Sequence, residues 1–311
     1  PVLEKIRAEI GARALEIDEN VAKVSIVGAG IQNAPGYAAR MFGTLADAKI
    51  NIQMISTSEI RITCIVSESD APLLIRAETQ TDGRGRRGRI WLDSPGTGLL
   101  MSLALRAGAG SPLPVDADRW WRVAAEFSLA VADAIEDAAG MQIGTVGLKW
   151  PNDLVVRNIE GGVTRSFRKV GGVLAEAGDA GSESAWLVVG IGLNVRGDVS
   201  RLDPALSATA TSLEIATGRP IDREALFTDA VARLEGRLGA LATGRFDVAN
   251  WRARQLLVGC EVELEGGAGE AISGRVVGHD GASGALILSV DGTERAISAG
   301  EVTRVVRIAT P

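Results

Sequence analysis

The chain has one histidine, His279, and two cysteines, Cys64 and Cys260, among its 311 residues. Hydrolysis by a Ser-His-Asp or Cys-His arrangement and histidine-rich zinc sites are therefore disfavoured. The cysteines lie far apart and match no metal-ligand spacing, which predicts a reducing, cytoplasmic location. Lysine is also scarce, because only five of the 33 basic residues are lysine. Lys149 and Lys169, the two that follow residue 77, are therefore candidates for a chemical role.

Long apolar runs and a basic charge balance are absent as well. No run approaches the roughly 18–20 apolar residues that a membrane-spanning helix needs, and we expect no membrane partner. A net charge of -6 argues against a general nucleic-acid binder. The hydrophobic share of 46% and the charged share of 23% are ordinary for a soluble globular protein. The length predicts two or three domains.

The segment Gly83–Arg89 packs three glycines and four arginines into seven positions. Glycine allows a backbone to approach a ligand, and arginine donates in a planar fork that suits phosphates and carboxylates. The segment therefore predicts an anion-binding loop, and a solvated basic loop is the alternative. Gly83, Gly85 and Gly88 also match a dinucleotide-binding fingerprint, but that fingerprint needs a helix to open at the loop. The following residues, Arg89–Gly96, favour an extended segment instead.

Three further segments combine polar groups with strand ends. Lys149–Leu154 places a lysine, an amide and a carboxylate around a proline, although Asn-Asp after proline is often only a turn. Lys169–Glu176 begins with a lysine and continues as a glycine-led strand. Val188–Val195 is an apolar strand with two glycines before Asn194, and a bulge at a sheet corner is its alternative.

Apolar periodicity predicts the surrounding elements. Helices are expected at Arg119–Ala139, capped by Asp118 or Asp116, and at Thr211–Ala216 and Asp222–Leu241. Strands are expected at Leu99–Leu105, Val146–Trp150, Leu154–Val156, Gly171–Glu176 and Ala185–Ile191. Five short strands follow, at Cys260–Leu264, Ile272–Val277, Ala285–Val290, Arg295–Ile297 and Val302–Val305, and predict a small barrel. His279 falls in a predicted turn.

The four segments, in this order and followed by a helix and a small barrel, resemble the biotin–protein ligase family over about residues 78–311. The resemblance implies an α+β fold with a mixed-sheet catalytic domain and a small C-terminal β-barrel. We expect these at 76–255 and 256–311. It also implies a reaction in which biotin and ATP form biotinyl-adenylate, and biotin then passes to a lysine of a carboxylase carrier domain.

The same resemblance implies roles for individual residues. The catalytic group would comprise Lys169, Arg86 and Asp153. The ligand-binding group would comprise Gln80, Gly83, Arg84, Gly85, Arg86, Arg87, Arg89, Lys149, Asn152, Gly172 and Asn194. Lys169 would stabilise the attacking carboxylate and the charge at the α-phosphate, and Arg87 and Arg89 would lie at the phosphates. Asp153 would hold Mg²⁺ together with ATP.

The front of the chain is similar to the C-terminal ACT domain of aspartokinase over about residues 1–70. The resemblance rests on three segments, Ala22–Gly30, Pro35-Gly36 and Ile50–Ile60. The predicted order of elements is strand, helix, strand, strand. This is half of a ferredoxin-like unit, to which Ala71–Ile75 would add a stub. We expect a truncated regulatory domain at 1–75. The resemblance implies an amino-acid effector at Gly30, Ile31, Asn51 and Gln53, and pairing of two chains into a homodimer.

The two resemblances meet where biotin ligases carry a strand with Ser, Thr or Asn and then a helix, both of which contact the ureido ring of biotin. Here that place holds ACT sequence, and Ser56-Thr57-Ser58 is the candidate substitute. The chain is interpreted as a biotin–protein ligase. The alternatives are an amino-acid-binding fragment of an aspartokinase, and an inactive fusion with neither activity.

Overall fold

The computed structural model describes residues 21–27, 36–47, 50–58, 61–67, 73–107, 111, 113, 116–160, 163–182, 184–267 and 269–308. The chain divides into two compact units, an N-terminal unit at Pro1–Ala71 and a main unit at Pro72–Pro311. Among the described residues, the N-terminal unit has one sheet and one buried apolar cluster, and the main unit has two of each.

The N-terminal unit is a three-stranded antiparallel sheet with one described helix. Its elements are β1 (Val21–Val27), α1 (Tyr37–Asp47), β2 (Ile52–Ser58) and β3 (Arg61–Ser67), and the strand order is β1-β3-β2. Met41 and Leu45 of α1 pack against Ile62 and Cys64 of β3. The apolar residues of α1 recur every three or four positions, so they form one buried face. The predicted order of strand, helix, strand and strand is confirmed.

A six-stranded sheet forms the centre of the main unit. Its strands are β4 (Leu73–Ala77), β5 (Gly98–Arg106), β6 (Val146–Lys149), β7 (Asp153–Glu160), β8 (Val163–Gly178) and β9 (Trp186–Asn194), in the order β4-β5-β9-β8-β7-β6. Every pairing between these strands is antiparallel, so the expected mixed sheet is wrong for the described strands. A short turn joins β6 to β7, and such a turn produces antiparallel neighbours.

Strand β4 also differs from its expected place. The stub predicted at Ala71–Ile75 would have extended the N-terminal sheet. The structure instead pairs Leu73–Ala77 with β5, where Ile75 lies opposite Ser102. Arg76 and Arg223 then tie this strand to a helix, because Arg76 pairs with Glu224 and Arg223 pairs with Glu78. The chain therefore enters the segment Gly83–Arg89, called the arginine loop below, from a fixed edge strand.

Four helices cover the sheet: α2 (Trp121–Ala139), α3 (Leu213–Thr217), α4 (Arg223–Ala242) and α5 (Val248–Ala253). The helix expected at Arg119–Ala139 is confirmed as α2, and Phe127 and Ile135 on it are both buried in the core. The predicted caps of α2 are wrong, because a 3₁₀ turn precedes it and no side chain in the described part of the chain caps it at Trp120. Asp222 does cap α4, where its carboxylate accepts from two backbone amides.

None of the helices in the described residues is long and apolar enough to cross a membrane.

The last five strands form a second antiparallel sheet. They are β10 (Glu261–Gly266), β11 (Ala271–His279), β12 (Leu286–Val290), β13 (Thr293–Ile297) and β14 (Gly300–Arg307). Their order is β13-β12-β11-β10-β14, and the described pairings do not join β13 to β14. All five strands are confirmed, but the closed barrel is not, because the ends of the sheet stay unpaired. Trp150, in the turn after β6, and Phe167 of β8 pack into the core of this sheet.

His279 ends β11 instead of lying in a turn. Its ring is buried and contacts Trp251 of α5 edge-on, with the ring centroids 5.7 Å apart. Neither ring nitrogen has a hydrogen-bond partner among the described residues. Burial, followed by the charge of Arg252, lowers the pKa of His279 to about 4.

A network of ion pairs joins α2, α4 and the end of α5. Arg237 pairs with Glu126 and Asp133, and Arg254 pairs with Asp133 and Glu136. The side chains of Arg254 and Glu136 are each 2% exposed. Charges buried to this degree need partners, since an unpaired one would lose its hydration without compensation. The network therefore fixes α5, and with it the start of the C-terminal sheet, against the core helix.

Candidate functional site

A cavity of about 1230 Å³ opens on one face of the six-stranded sheet. Its walls come from the sheet, from the arginine loop and from β14 of the C-terminal sheet. Pockets for a single small ligand usually measure about 300–1,000 Å³, so this one has room for two substrates side by side. A second cleft of about 600 Å³ is lined by residues 82–90 of the loop region and by Leu174 and Glu176 of β8.

Two glycines and a tryptophan form part of the cavity wall. Gly172 of β8 lies opposite Gly192 of β9, and both adjoin the indole of Trp91. A Cβ at Gly192 would stand 2.7 Å from Trp91 Cε2, and one at Gly172 would stand 3.2 Å from Trp91 Cζ3. Only glycine therefore lets the indole lie this close to the strands.

Two lysines meet at one carboxylate inside the cavity. Lys169 Nζ lies 2.6 Å from Asp153 Oδ1, and Lys149 Nζ lies 3.7 Å from Asp153 Oδ2. Lys149 also donates to the carbonyl of Val302 at 3.4 Å, which connects it to β14. Lys169 Nζ is 5.4 Å from the centroid of the Trp91 ring. A cation at this range is attracted to the face of an indole, so Lys169 is held from two sides.

The turn between Lys149 and Asp153 is fixed by its neighbours. Trp150 is buried in the core of the C-terminal sheet, so one side of the turn is anchored there. Asn152 faces β8, where its Nδ2 donates to the carbonyl of Val173 at 2.7 Å. The backbone amide of Val173 donates in return to the carbonyl of Asn152 at 2.9 Å. These contacts set the direction in which Asp153 enters the cavity.

The arginine loop folds back on itself. The amide of Trp91 donates to the carbonyl of Gly83 at 2.8 Å, and the amide of Gly85 donates to the carbonyl of Arg89 at 2.7 Å. A Cβ at Gly83 would stand 2.3 Å from the carbonyl oxygen of Trp91, so this close approach requires glycine. Arg87 occupies the left-handed region with φ of 58°. A non-glycine residue there marks a constrained backbone, as is frequent at ligand sites.

The arginines differ in their surroundings. Arg84 is exposed and lies 3.6 Å from Asp82 and 3.9 Å from Glu176, too far for a firm pair. Arg86 is half-buried, and burial lowers its pKa, while the charges of Glu301 and Asp153 oppose that shift. The guanidinium of Arg86 therefore lies between the loop, the lysine pair and β14.

The structure brings most of the predicted site residues to one place. Those that line the main cavity are Gln80, Arg84, Gly85, Arg86, Arg89, Lys149, Asn152, Asp153, Lys169, Gly172 and Asn194. Gly83 and Arg87 line the cleft along the loop. Asn194 donates to the carbonyl of Thr211 at 3.3 Å, which sets its direction at the end of β9.

The predicted effector residues belong to the other unit. Asn51 and Gln53 are exposed, and Gln53 lies on β2. Gly30 and Ile31 lie outside the described residues.

Sequence reasoning missed Trp91 and Glu301. Trp91 directly follows the loop, and its position beside two glycine-bearing strands was the available signal. Glu301 is separated from the loop by 212 positions, so no local pattern connects it with Arg89. Within the described residues, no group of three or more His, Cys, Asp or Glu side chains could hold a metal ion.

Comparison with known proteins finds two families, each matching a different part of the chain. The model of the biotin/lipoate A/B protein ligase family matches residues 55–194. The biotin–[acetyl-CoA-carboxylase] ligase of Mycobacterium tuberculosis is 33% identical over 238 residues, which are 76% of this chain and 80% of that protein.

The chain belongs to the biotin/lipoate A/B protein ligase family.

A solved structure resembles the ligase fold of this chain. The biotin protein ligase from Aquifex aeolicus, in complex with biotin and ATP, is 26% identical with a TM-score of 0.59. The match covers 74% of this chain and 88% of the Aquifex aeolicus chain. The expected biotin-ligase fold is thereby confirmed.

The N-terminal unit matches a different family. The ACT domain model matches residues 24–77, in the N-terminal part of this ligase-family chain, in place of the expected 1–70. An aspartate kinase of Stutzerimonas stutzeri is 53% identical over 76 residues, which are 24% of this chain and 18% of that protein. The chain thus spans only a small part of the kinases that it matches. The two family matches overlap at 55–77.

Proposed function

We propose that the chain is a biotin–protein ligase. It forms biotinyl-adenylate from biotin and ATP, releases pyrophosphate, and transfers biotin to a lysine of a biotin carboxyl carrier domain. The observation that carries the proposal is the meeting of Lys169, Lys149 and the arginine loop around one cavity. Membership of the family supports the reaction type.

The first step brings two anions together. The biotin carboxylate oxygen attacks the α-phosphorus of ATP, a bond to that oxygen forms, and the bond to the pyrophosphate oxygen breaks. Lys169 and Arg86 stabilise the carboxylate and the charge that grows on the α-phosphate. Fixed cationic donors of this kind act strongly in a water-poor cavity because they need no reorganisation during the reaction.

The remaining cavity residues bind and orient the two substrates. Gln80, Arg84 and Gly85 hold biotin and its adenylate, with the indole of Trp91 and the glycine at 172 forming an apolar wall. Arg87 and Arg89 lie at the phosphates. The nucleotide is held by Lys149, Asn152 and Asn194.

Magnesium would arrive with ATP. Mg²⁺ commonly takes one or two protein carboxylates and completes its shell with phosphates and water, so a dedicated protein cage is not needed. Asp153 fits this requirement as a single carboxylate facing the cavity. The metal neutralises phosphate charge when it is bound. Lys169 and Lys149, already beside Asp153, keep that carboxylate directed at the nucleotide.

The second step transfers the acyl group. The ε-amine of an acceptor lysine attacks the carbonyl carbon of biotin, the bond to the AMP oxygen breaks, and the amine releases a proton. Water competes with the amine for the same carbon. An arginine loop closed over the adenylate reduces that competition.

The Ser, Thr or Asn segment that the resemblance assigns to the ureido ring of biotin is replaced here by ACT sequence. The family match begins at residue 55, so it includes Ser56, Thr57 and Ser58, which lie in β2 of the N-terminal sheet. If these hydroxyls do not reach biotin, two hydrogen bonds of about 1–1.5 kcal/mol each are lost. That loss weakens biotin binding by about 30- to 150-fold.

The test is biotin-dependent exchange of pyrophosphate into ATP by the purified chain at millimolar biotin. The high concentration compensates for a weakened ureido contact. Exchange above background, absent without biotin, is the expected result. No exchange from a folded and monodisperse sample would contradict the proposal.

The ACT match supports a second candidate function for the N-terminal unit, namely binding of an amino-acid effector through Asn51 and Gln53. Both side chains are exposed at β2 and its approach. Titration with a panel of the common amino acids in a calorimeter tests it. Heat from one amino acid that disappears in Asn51→Ala is expected, and no heat from any of them contradicts this function.

A further inference from the structure

The ends of two C-terminal strands hold the arginine loop. Arg87 Nη1 lies 2.9 Å from Glu265 Oε1, and Arg89 Nη2 lies 2.5 Å from Glu301 Oε1. Backbone carbonyls add two more contacts. Arg86 donates to Gly300 at 3.2 Å, and Arg87 donates to Gly266 at 3.3 Å.

The two carboxylates are neighbours on adjacent strands of the sheet. Glu265 of β10 lies directly opposite Glu301 of β14, and Gly266 lies opposite Gly300. A Cβ at Gly300 would stand 2.6 Å from the carbonyl oxygen of Glu265, so the strands approach closely there. The sheet therefore presents Glu265 and Glu301 as a fixed pair of charges.

The two ion pairs are open to solvent. Arg89 is 61% exposed and Glu301 is 20% exposed, while Arg87 is 34% and Glu265 is 46% exposed. Exposed pairs contribute little to stability, commonly about 0.2–1 kcal/mol. A phosphate carries more charge and more acceptor oxygens than a carboxylate, so it competes well for the same guanidinium group.

We propose that Glu265 and Glu301 form a displaceable clamp, which orients Arg87 and Arg89 and releases their guanidinium groups to the phosphates of the incoming nucleotide. The inference rests on the proposed function, in which Arg87 and Arg89 bind phosphate. It adds two positioning residues from the C-terminal sheet. The clamp keeps the loop folded near its binding geometry. Replacement of each carboxylate by a phosphate at the guanidinium group sets the apparent affinity for polyphosphate.

The first measurement is calorimetric binding of inorganic tripolyphosphate to the chain, before and after Glu301→Gln. Removing the competing carboxylate is expected to tighten binding about two- to five-fold, the range that corresponds to one exposed pair. The matched control is Glu294→Gln, which removes the same charge from an exposed position on β13. Unchanged or weaker binding in Glu301→Gln, or equal tightening in the control, would overturn the clamp.

The second measurement is the rate of tryptic cleavage in the loop, which contains four arginines. Without the clamp the loop opens more often, so Glu301→Gln is expected to be cut about two- to five-fold faster, whereas Glu294→Gln is not. A merely structural role for Glu301 would accelerate cleavage throughout the C-terminal sheet. Cleavage confined to the loop distinguishes the two roles.

A double-variant cycle shows whether the effect passes through Arg89. In an Arg89→Gln background, Glu301→Gln is expected to leave tripolyphosphate affinity unchanged, because the guanidinium that it released is absent. Persistent tightening would contradict the clamp. None of these measurements requires biotin. A chain that shows the expected clamp effects but no pyrophosphate exchange would therefore support this inference and contradict the proposed function. No tripolyphosphate binding by the unaltered chain would overturn it.

Discussion

The indole of Trp91 and the backbone of Gly192 are in direct contact, so closely that a Cβ at residue 192 would stand 2.7 Å from Trp91 Cε2. The contact links a residue just after the arginine loop to β9, which lines the cavity. The same indole lies below the ammonium group of Lys169. A single glycine hydrogen therefore helps to set the positions of an apolar wall and of a catalytic cation.

We expect Gly192→Ala to displace the indole and weaken biotin binding. The added methyl would overlap a rigid ring on a strand, and overpacking of this kind typically carries about 1–3 kcal/mol. If the whole of that energy destabilises the biotin-bound state, the Kd for biotin rises by about 5- to 150-fold. Calorimetric titration with biotin measures the change.

The control for this prediction is a cycle with Trp91→Phe. The smaller ring leaves room for the methyl, so Gly192→Ala should weaken biotin binding less in Trp91→Phe than in the unaltered chain. Equal effects in both backgrounds would show that the methyl acts on the ligand directly and not through the indole.

Lys169→Ala is expected to slow adenylate formation by about 10²–10³-fold, because it removes a fixed cation from the site of charge development. Arg157→Ala is the matched control, since it removes one positive charge from an exposed position on the neighbouring strand β7. Single-turnover formation of biotinyl-adenylate measures both variants. A rate in Lys169→Ala equal to that of Arg157→Ala would remove Lys169 from the catalytic group.

Arg254→Met is expected to destabilise the main unit strongly. Arg254 donates to both carboxylate oxygens of Glu136, at 2.8 Å and 2.9 Å, and both side chains are buried. Breaking a buried pair leaves a charge without a partner and lowers the free energy of unfolding by about 3–5 kcal/mol. Equilibrium unfolding in urea, followed by helical circular dichroism, measures the loss.

Arg233→Met serves as the comparison for Arg254→Met. Arg233 pairs with Asp229 and Asp137, but it is 33% exposed and these partners are more exposed still. Its loss should change the free energy of unfolding by about 0–1 kcal/mol. Similar losses in both variants would mean that burial does not determine the strength of the network.

His279 makes the stability of the main unit depend on pH. Its pKa in the folded protein is about 4, against 6.5 for the free side chain, so the unfolded chain binds a proton more readily. The contribution of His279 to stability is therefore fully present above the pKa of the unfolded chain, 6.5. It is lost as the pH falls toward the pKa in the folded protein, about 4. Between about pH 7 and about pH 5 the expected loss is about 2 kcal/mol.

His279→Phe should remove that part of the pH dependence, because phenylalanine keeps a ring against Trp251 and does not titrate. The measurement is the difference in the free energy of unfolding between the two pH values, compared between the unaltered chain and the variant. Carboxylates contribute equally to both, so an identical difference in the two proteins would contradict the assignment to His279.

Much of the main unit could be predicted from the sequence because its signals are local. The apolar periodicity of α2 and the five final strands both depend on residues a few positions apart. Closure of the final sheet could not be predicted in the same way. Closure depends on whether β13 and β14 pair, and strands of suitable length and pattern form open and closed sheets alike.

The candidate site was partly predictable for a similar reason. Lys149, Asn152 and Asp153 fall within one short segment, so their proximity follows from the chain itself. The contact of Lys169 with Trp91 depends instead on the order of strands in the sheet. The pairing of Arg89 with Glu301 depends on how the two sheets pack together. His279 shows the same limit, because its neighbouring glycines and aspartate predicted a turn while its burial comes from Trp251.

Strand β4 has a practical consequence for anyone who wishes to study the two halves separately. Residues 73–77 fall within the match to the ACT family, yet they are hydrogen-bonded to β5 of the ligase sheet. A fragment that starts at residue 78 would expose the edge of β5 at residues 100–104, and bare strand edges promote aggregation. A fragment that starts at Pro72 keeps the edge strand. A fragment that fails to express would therefore be informative about the enzyme only if it retains β4.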